Sequence, residues 1–135
     1  MLQKAQRELR KTLFRLSQVV TDGNAENIEL VHMRPKEIDL EPMMPIYAYV
    51  KLSGHRPPCN VQLDYIEPGD IKVFVSNVIS RPSRDKAQKV IINPQRFTLN
   101  PEKNAGSFDS EFAYFTFLSS YGCMFRITAV FKGDF

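Results

Sequence analysis

The sequence predicts a mainly β protein, an antiparallel β-sandwich of about eight strands preceded by one N-terminal α-helix. Three observations carry that expectation. The hydrophobic period is helical only over the first twenty residues, it falls to about two afterwards, and turn-forming residues separate the apolar runs that follow. At 135 residues the chain accommodates one core and no second independent unit. Hydrophobic residues make up 43% and charged residues 24%, the balance of a globular chain rather than a disordered one.

Residues 2 to 20 hold the helical pattern. Leu2, Leu9 and Leu16 recur every seven positions, Leu13 and Val20 flank the same side, and neither Gly nor Pro interrupts them. Thr21-Asp22-Gly23-Asn24 ends the pattern, because Gly and Asn accept the left-handed conformation that closes helices. The expected organisation is a basic amphipathic helix over 1–22, a connecting segment with a candidate first strand over 23–37, and a β-sandwich over 38–135. The apolar stripe of the helix needs a partner. It either lies on the sandwich or pairs with another chain, and fewer than three heptads do not establish a coiled coil.

Beyond the helix, Ile28, Leu30 and His32 alternate with Glu29 and Val31, and Ile38 and Leu40 alternate with Glu37, Asp39 and Glu41. Met44, Ile46, Ala48, Val50 and Leu52 line one face of a long strand, with Tyr47, Tyr49 and Lys51 on the other. Three shorter strands follow, marked by Val61, Leu63 and Tyr65, by Ile71, Val73 and Val75, and by Val90-Ile91-Ile92. The C-terminal pair is aromatic, with Phe112, Tyr114, Phe115 and Phe117 before Phe125 and Phe131. Ser119-Ser120-Tyr121-Gly122 between them is a turn of hairpin length, and Ser53–Pro58 and Glu67-Pro68-Gly69-Asp70 are turns as well. Most of these aromatics are expected in the core. Whichever sheet face stays uncovered is free to dock the helix or a partner.

Charge separates the two parts of the chain. Lys4, Arg7, Arg10, Lys11 and Arg15 against Glu8 give the first twenty residues +4, which leaves −1 for the rest of a chain of net charge +3. A body without basic excess is not built for nucleic acid. No run approaches the about 18 apolar residues of a membrane span, and the N-terminus lacks the compact apolar run and cleavage site of a secretory signal. A cytoplasmic location is expected, with Cys59 and Cys123 as buried free thiols and a disulfide between them as the alternative.

The order Tyr49-Val50, Pro57-Pro58-Cys59-Asn60-Val61-Gln62, Pro68-Gly69-Asp70-Ile71-Lys72-Val73-Phe74-Val75-Ser76, Arg81-Pro82-Ser83, Tyr114–Phe117 and Gly122–Thr128 carries a resemblance. Over roughly residues 38 to 131 it resembles the C2-like and pre-peptidase C-terminal-like β-sandwich modules, including those of large cytoskeletal or ciliary proteins of single-celled eukaryotes. The resemblance implies a jelly-roll or C2-like sandwich, and an accessory module that binds or spaces rather than reacts. Fold likeness supplies no function by itself.

The residues offer little local chemistry. Calcium needs six to eight oxygen ligands, and Asp64, Glu67, Asp70, Asp85 and Asp109 form no tight cluster, so calcium is not an expected partner. Zinc needs about four nitrogen or sulfur ligands; His32, His55, Cys59 and Cys123 are the only candidates, and Pro57-Pro58 extends the chain between His55 and Cys59. Neither metal nor cofactor is expected. His55 with Cys59 is the only local nucleophile candidate, it lacks an orienting motif, and no phosphate loop or dinucleotide fingerprint occurs, so catalysis is not expected.

Two segments remain as candidate docking elements. In the helix they are Leu2, Leu9, Leu13 and Leu16 with Arg7, Arg10, Lys11 and Arg15; in the body, the basic loop residues Arg81, Arg84, Lys86 and Lys89. The expected function is a non-enzymatic protein-interaction or scaffold module of a cytoplasmic assembly, cytoskeletal or ciliary by the resemblance, with a protein partner met through the helix. The alternative is a calcium-independent peripheral membrane module using the basic loop. A third reading is an accessory regulatory domain of a protease-like protein.

Overall fold

The computed structural model describes residues 27–99, 108 and 110–134. The expected helix, and with it Leu2, Leu9, Leu13, Leu16, Arg7, Arg10, Lys11 and Arg15, lies outside the described residues. Nine strands follow in chain order: β1 (Ile28–Leu30), β2 (Lys36–Leu40), β3 (Ile46–Lys51), β4 (Cys59–Glu67), β5 (Lys72–Ser76), β6 (Lys89–Ile92), β7 (Arg96–Leu99), β8 (Phe112–Leu118) and β9 (Cys123–Phe131). A 3₁₀ turn, Lys132–Asp134, comes after β9.

The strands form two sheets, five-stranded β1-β3-β8-β5-β6 and four-stranded β2-β9-β4-β7. Every connection except β5 to β6 carries the chain from one sheet to the other. That corrects the reading of Ser119–Gly122 as a hairpin turn. The segment has hairpin length but joins β8 to β9 across the sandwich. Pairing is antiparallel throughout except for β1 and β3, which run parallel with Ile28 opposite Ala48 and Leu30 opposite Val50. The exception follows from the crossings. Because β2 takes the return path in the opposite sheet, the chain re-enters the first sheet in its original direction.

Alternation decides which side chains face the space between the sheets. Ala48 and Val50 of β3, Val73 and Val75 of β5, and Ala113, Phe115 and Phe117 of β8 are buried from one side. Ile38, Leu40, Val61, Leu63, Phe125, Ile127 and Phe131 are buried from the other. The sheets meet through aromatic edges, with Phe97 and Phe115 centroids 5.9 Å apart and those of Phe117 and Phe125 5.5 Å apart, both pairs T-shaped. Such edge-to-face pairs add about 0.5–1.5 kcal/mol beyond area burial.

Three sequence expectations change here. Strand β7 was not anticipated, yet it delivers Phe97 to the core and pairs Phe97 with Val61. Met44 does not continue the buried face of β3. Its amide closes a turn onto the Glu41 carbonyl at 3.2 Å, and its side chain is exposed. Phe112 and Tyr114 are half-buried on the outside of the five-stranded sheet rather than in the core.

The two outer faces differ in kind. Outside the four-stranded sheet, Glu37, Arg126 and Asp64 align across β2, β9 and β4, and Thr98 donates to the Asn60 side chain at 2.9 Å. Outside the five-stranded sheet, Tyr49 faces Tyr114 and Tyr47 faces Thr116, which in turn faces Phe74. Tyr49, Phe112 and Tyr114 form a tiled row with centroids 5.8 and 5.9 Å apart.

Candidate functional site

The β5–β6 connection builds the most distinctive surface feature. At the end of β5 the buried Ser76 hydroxyl accepts the amides of Val78 at 3.1 Å and Ile79 at 3.0 Å, which turns the chain sharply out of the strand. The loop then folds back over the aromatic outer face. Pro82 becomes fully buried, and Phe74, on the outward side of β5, is only 5% exposed. Arg81 adopts a left-handed φ of 57°, a conformation that non-glycine residues seldom hold without compensation. Its compensation is visible: the guanidinium lies 4.5 Å from the Tyr47 ring centroid, and Nε donates to the Asn27 side chain at 3.2 Å.

Between this loop and the sheet runs an open groove of about 480 Å³. Its floor is Tyr47, Phe74, Thr116 and Leu118, roofed on one side by Pro82. Lys72, Arg81 and Arg84 stand around it. Thr116 is 5% exposed, and its Oγ1 is buried with no hydrogen-bond partner among the described residues. An unpaired buried hydroxyl costs about 1–3 kcal/mol.

Asp70 is the one carboxylate among the groove-lining residues, and its oxygens are engaged. Ser119 Oγ donates to it at 3.1 Å, the Ser120 amide at 3.2 Å and the Tyr121 amide at 3.3 Å. Burial raises the Asp70 carboxyl, but these hydrogen bonds from Ser120, Ser119 and Tyr121 together outweigh it and hold the group below its ordinary value. Gly69 makes this approach possible: a Cβ there would collide with the Gly122 carbonyl oxygen.

Of the basic-loop candidates, the structure brings Arg81 and Arg84 together and adds Lys72 from β5. Lys86 and Lys89 are exposed and do not line the groove. Sequence reasoning missed Lys72 and Thr116. Their signal was the outward register of β5 and β8, where both alternate against buried neighbours.

A second cluster gathers at the opposite end of β9. His55 Nδ1 donates to Asp134 at 2.7 Å, the Arg56 amide donates to the same carboxylate at 2.9 Å, and the Phe131 amide donates to His32 Nδ1 at 3.0 Å. His55 stacks on Phe131 with ring centroids 4.0 Å apart. The hydrogen bond from His55 first, then that from Arg56, holds the Asp134 carboxyl below its ordinary value. The cluster ties the β3–β4 connection to the 3₁₀ turn and the β1–β2 connection to the end of β9. Among the described residues, no group of three or more His, Cys, Asp and Glu is arranged to hold a metal.

Cys59 does not join His55. It faces the core at 0% exposure, and burial pushes its thiol up to about 12, outweighing the hydrogen bond with Val130, which makes it a poor nucleophile at neutral pH. Cys59 and Cys123 are both free and buried. Among the described residues no helix is long and apolar enough to cross a membrane. Comparison with protein-family models, curated proteins and solved structures found no match to this chain.

Proposed function

We propose that this domain is a non-enzymatic protein-interaction module that docks its partner on the outer face of the five-stranded sheet. The single observation that carries the reading is the apolar character of both faces of that sheet. Sheets of this kind are normally covered on both sides, whereas a solvated antiparallel sheet alternates apolar and polar. Here the β5–β6 loop covers Phe74 with Pro82 and leaves the Tyr49, Phe112 and Tyr114 row half-buried and reachable. Charge selects the partner: the cations Lys72, Arg81 and Arg84 beside that row suit an acidic protein surface.

The strand order supports a jelly-roll form of the sandwich. From β2 onward, 2-9-4-7 faces 3-8-5-6 with one in-sheet hairpin, and β1 is an added edge strand. Asn27, the first of the described residues, accepts a hydrogen bond from Arg81 at the edge of the groove. The +4 charge and leucine pattern of residues 1–20 support a tether or docking role for that segment. A cytoplasmic assembly, cytoskeletal or ciliary, is the setting the sequence resemblance implies.

Photo-crosslinking tests the reading. The photoreactive residue p-benzoylphenylalanine placed at Tyr114 is expected to give a discrete crosslinked protein from native extract, and the same residue at Gln62, outside the other sheet, none. Equal crosslinking from both positions, or none from Tyr114, overturns the assignment of the face.

One observation favours a second reading. Met43 is 65% exposed and Tyr121 86% exposed at the loops flanking Asp70, apolar tips beside a cationic groove, as a peripheral membrane module without calcium would carry. Co-sedimentation with phosphatidylserine vesicles, lost on Met43→Ser with Tyr121→Ser, would establish it. Vesicles that leave the protein in the supernatant remove it.

A further inference from the structure

Resting on the binding-module reading, we infer that the groove between the β5–β6 loop and the sheet is a recognition site for an extended acidic peptide that carries an apolar side chain beside its carboxylates. Four features of the groove fit that chemistry together. Around it the charge is positive, and among the described residues neither Lys72 nor Arg84 is engaged in an ion pair. Asp70 keeps its negative charge, but it stands against three cations and its oxygens already accept one hydroxyl and two amides. The floor offers the Tyr47 and Phe74 rings and Leu118 to an apolar side chain.

The fourth feature is Thr116. Its hydroxyl lies on the outward side of central strand β8, flanked across the sheet by Tyr47 and Phe74, and is buried without a partner among the described residues. Its oxygen exposes less than 1 Å², so a ligand atom satisfies it only as the side chains around it shift, and then recovers the desolvation of a group already buried. That gain arises only on binding. Arg81 and Met43, both lining the groove, hold left-handed φ values of 57° and 61°. The walls are therefore shaped at some conformational expense before any ligand arrives.

Charge also excludes the nearest competitor. Residues 1–20 of this chain carry +4, and a cationic segment gains nothing among Lys72, Arg81 and Arg84. A flat bilayer surface is a poorer fit than a chain, because Thr116 is 5% exposed at the floor beside the buried Pro82. The open shape suits an extended chain, and exposed Met43 continues the apolar lining at one side.

The test uses the full chain and a library of capped pentapeptides with Asp or Glu at two positions and apolar residues at three. A matched library with Lys at the acidic positions, free acetate, and vesicles of equal parts phosphatidylcholine and phosphatidylserine complete the set. Acidic members should be retained with sub-millimolar affinity and shift the amide signals of Tyr47, Thr116 and Arg84. The double variant Lys72→Glu with Arg84→Glu should weaken retention at least about tenfold.

Thr116→Val supplies the discriminating readout. It should weaken peptide binding about tenfold while leaving the thermal midpoint unchanged or higher, because it removes an unsatisfied buried hydroxyl. Equal retention of the lysine library, no retention of either, or binding to vesicles alone overturns the inference. So does acidic-peptide binding that survives the double charge reversal. Loss of the peptide result with the Tyr114 crosslink intact removes the groove assignment and leaves the binding module standing.

Discussion

The outer face of the four-stranded sheet and that of the five-stranded sheet arise from the same alternating pattern, yet they solve different problems. On the first, opposite charges align across strands, as Glu37, Arg126 and Asp64 do, and amides and hydroxyls pair locally. Each such group is content in water. On the second, Tyr47, Tyr49, Tyr114 and Phe74 point outward, and the protein spends a twelve-residue connection between Ser76 and Lys89 partly covering them. One face ends the molecule; the other continues its core. The difference teaches that burial in this fold is not confined to the space between the sheets.

Truncating the two faces puts that contrast to the sharpest test. Phe74→Ala should cost about 3–4 kcal/mol in urea unfolding, as a core phenylalanine does, whereas Gln62→Ala should stay within about 0.5 kcal/mol. Similar losses at both positions would break the comparison. Next in size, Gly69→Ala should destabilise by about 2 kcal/mol, because its methyl meets the Gly122 carbonyl and lies 3.1 Å from Cys123 Cβ. The same variant should displace the Ser119–Gly122 segment from Asp70, seen as shifted amide signals at Ser120 and Tyr121.

Acid titration separates the two ends of the molecule. Asp70 and Asp134 both have folded-state values held below the ordinary 3.8, so each contributes stability in full above that value and loses it as pH falls through the folded value. Asp70→Asn and Asp134→Asn should each lower the urea midpoint at neutral pH, and the deficit should vanish in strong acid. Only the Asp70 variant should disturb signals from Tyr47 and Thr116 around the groove. The smallest effect is expected from thiol chemistry: native protein at neutral pH should resist iodoacetamide at Cys59 and Cys123, and both should alkylate on unfolding, as mass spectrometry would record.

Much of the fold was legible in the periodicity. Ala48 and Val50, Val61 and Leu63, and Val73 and Val75 all face inward as the alternation expects. Sheet membership was not legible, because a four-residue link such as Ser119–Gly122 serves equally well for a hairpin or a crossing. Strand β7 was hidden by its brevity and by Pro94 just before it. The groove was half legible: the cations of its loop stood out in the sequence, but their destination did not. Arg81 meets Tyr47 and Asn27 through long-range contacts, and no local pattern announces that a charged loop will fold back on an aromatic face. The joining of His32, His55 and Asp134 was likewise invisible, since the histidines come from two different connections and Asp134 from the turn after β9.

The position of the last two strands sets the timing of assembly. β8 lies between β3 and β5, and β9 between β2 and β4, so the last two of the described strands occupy the centre of the two sheets. Until Phe131 emerges, β2 and β4 have no common neighbour, and among the described residues the β5–β6 hairpin is the only in-sheet pairing of consecutive strands. Closure joins residues far apart in sequence, which places folding in the slow, millisecond-to-second range of all-β domains. A ribosome-bound intermediate would therefore present unpaired apolar strands, and its exposure to chaperones should end abruptly when β9 slots into place.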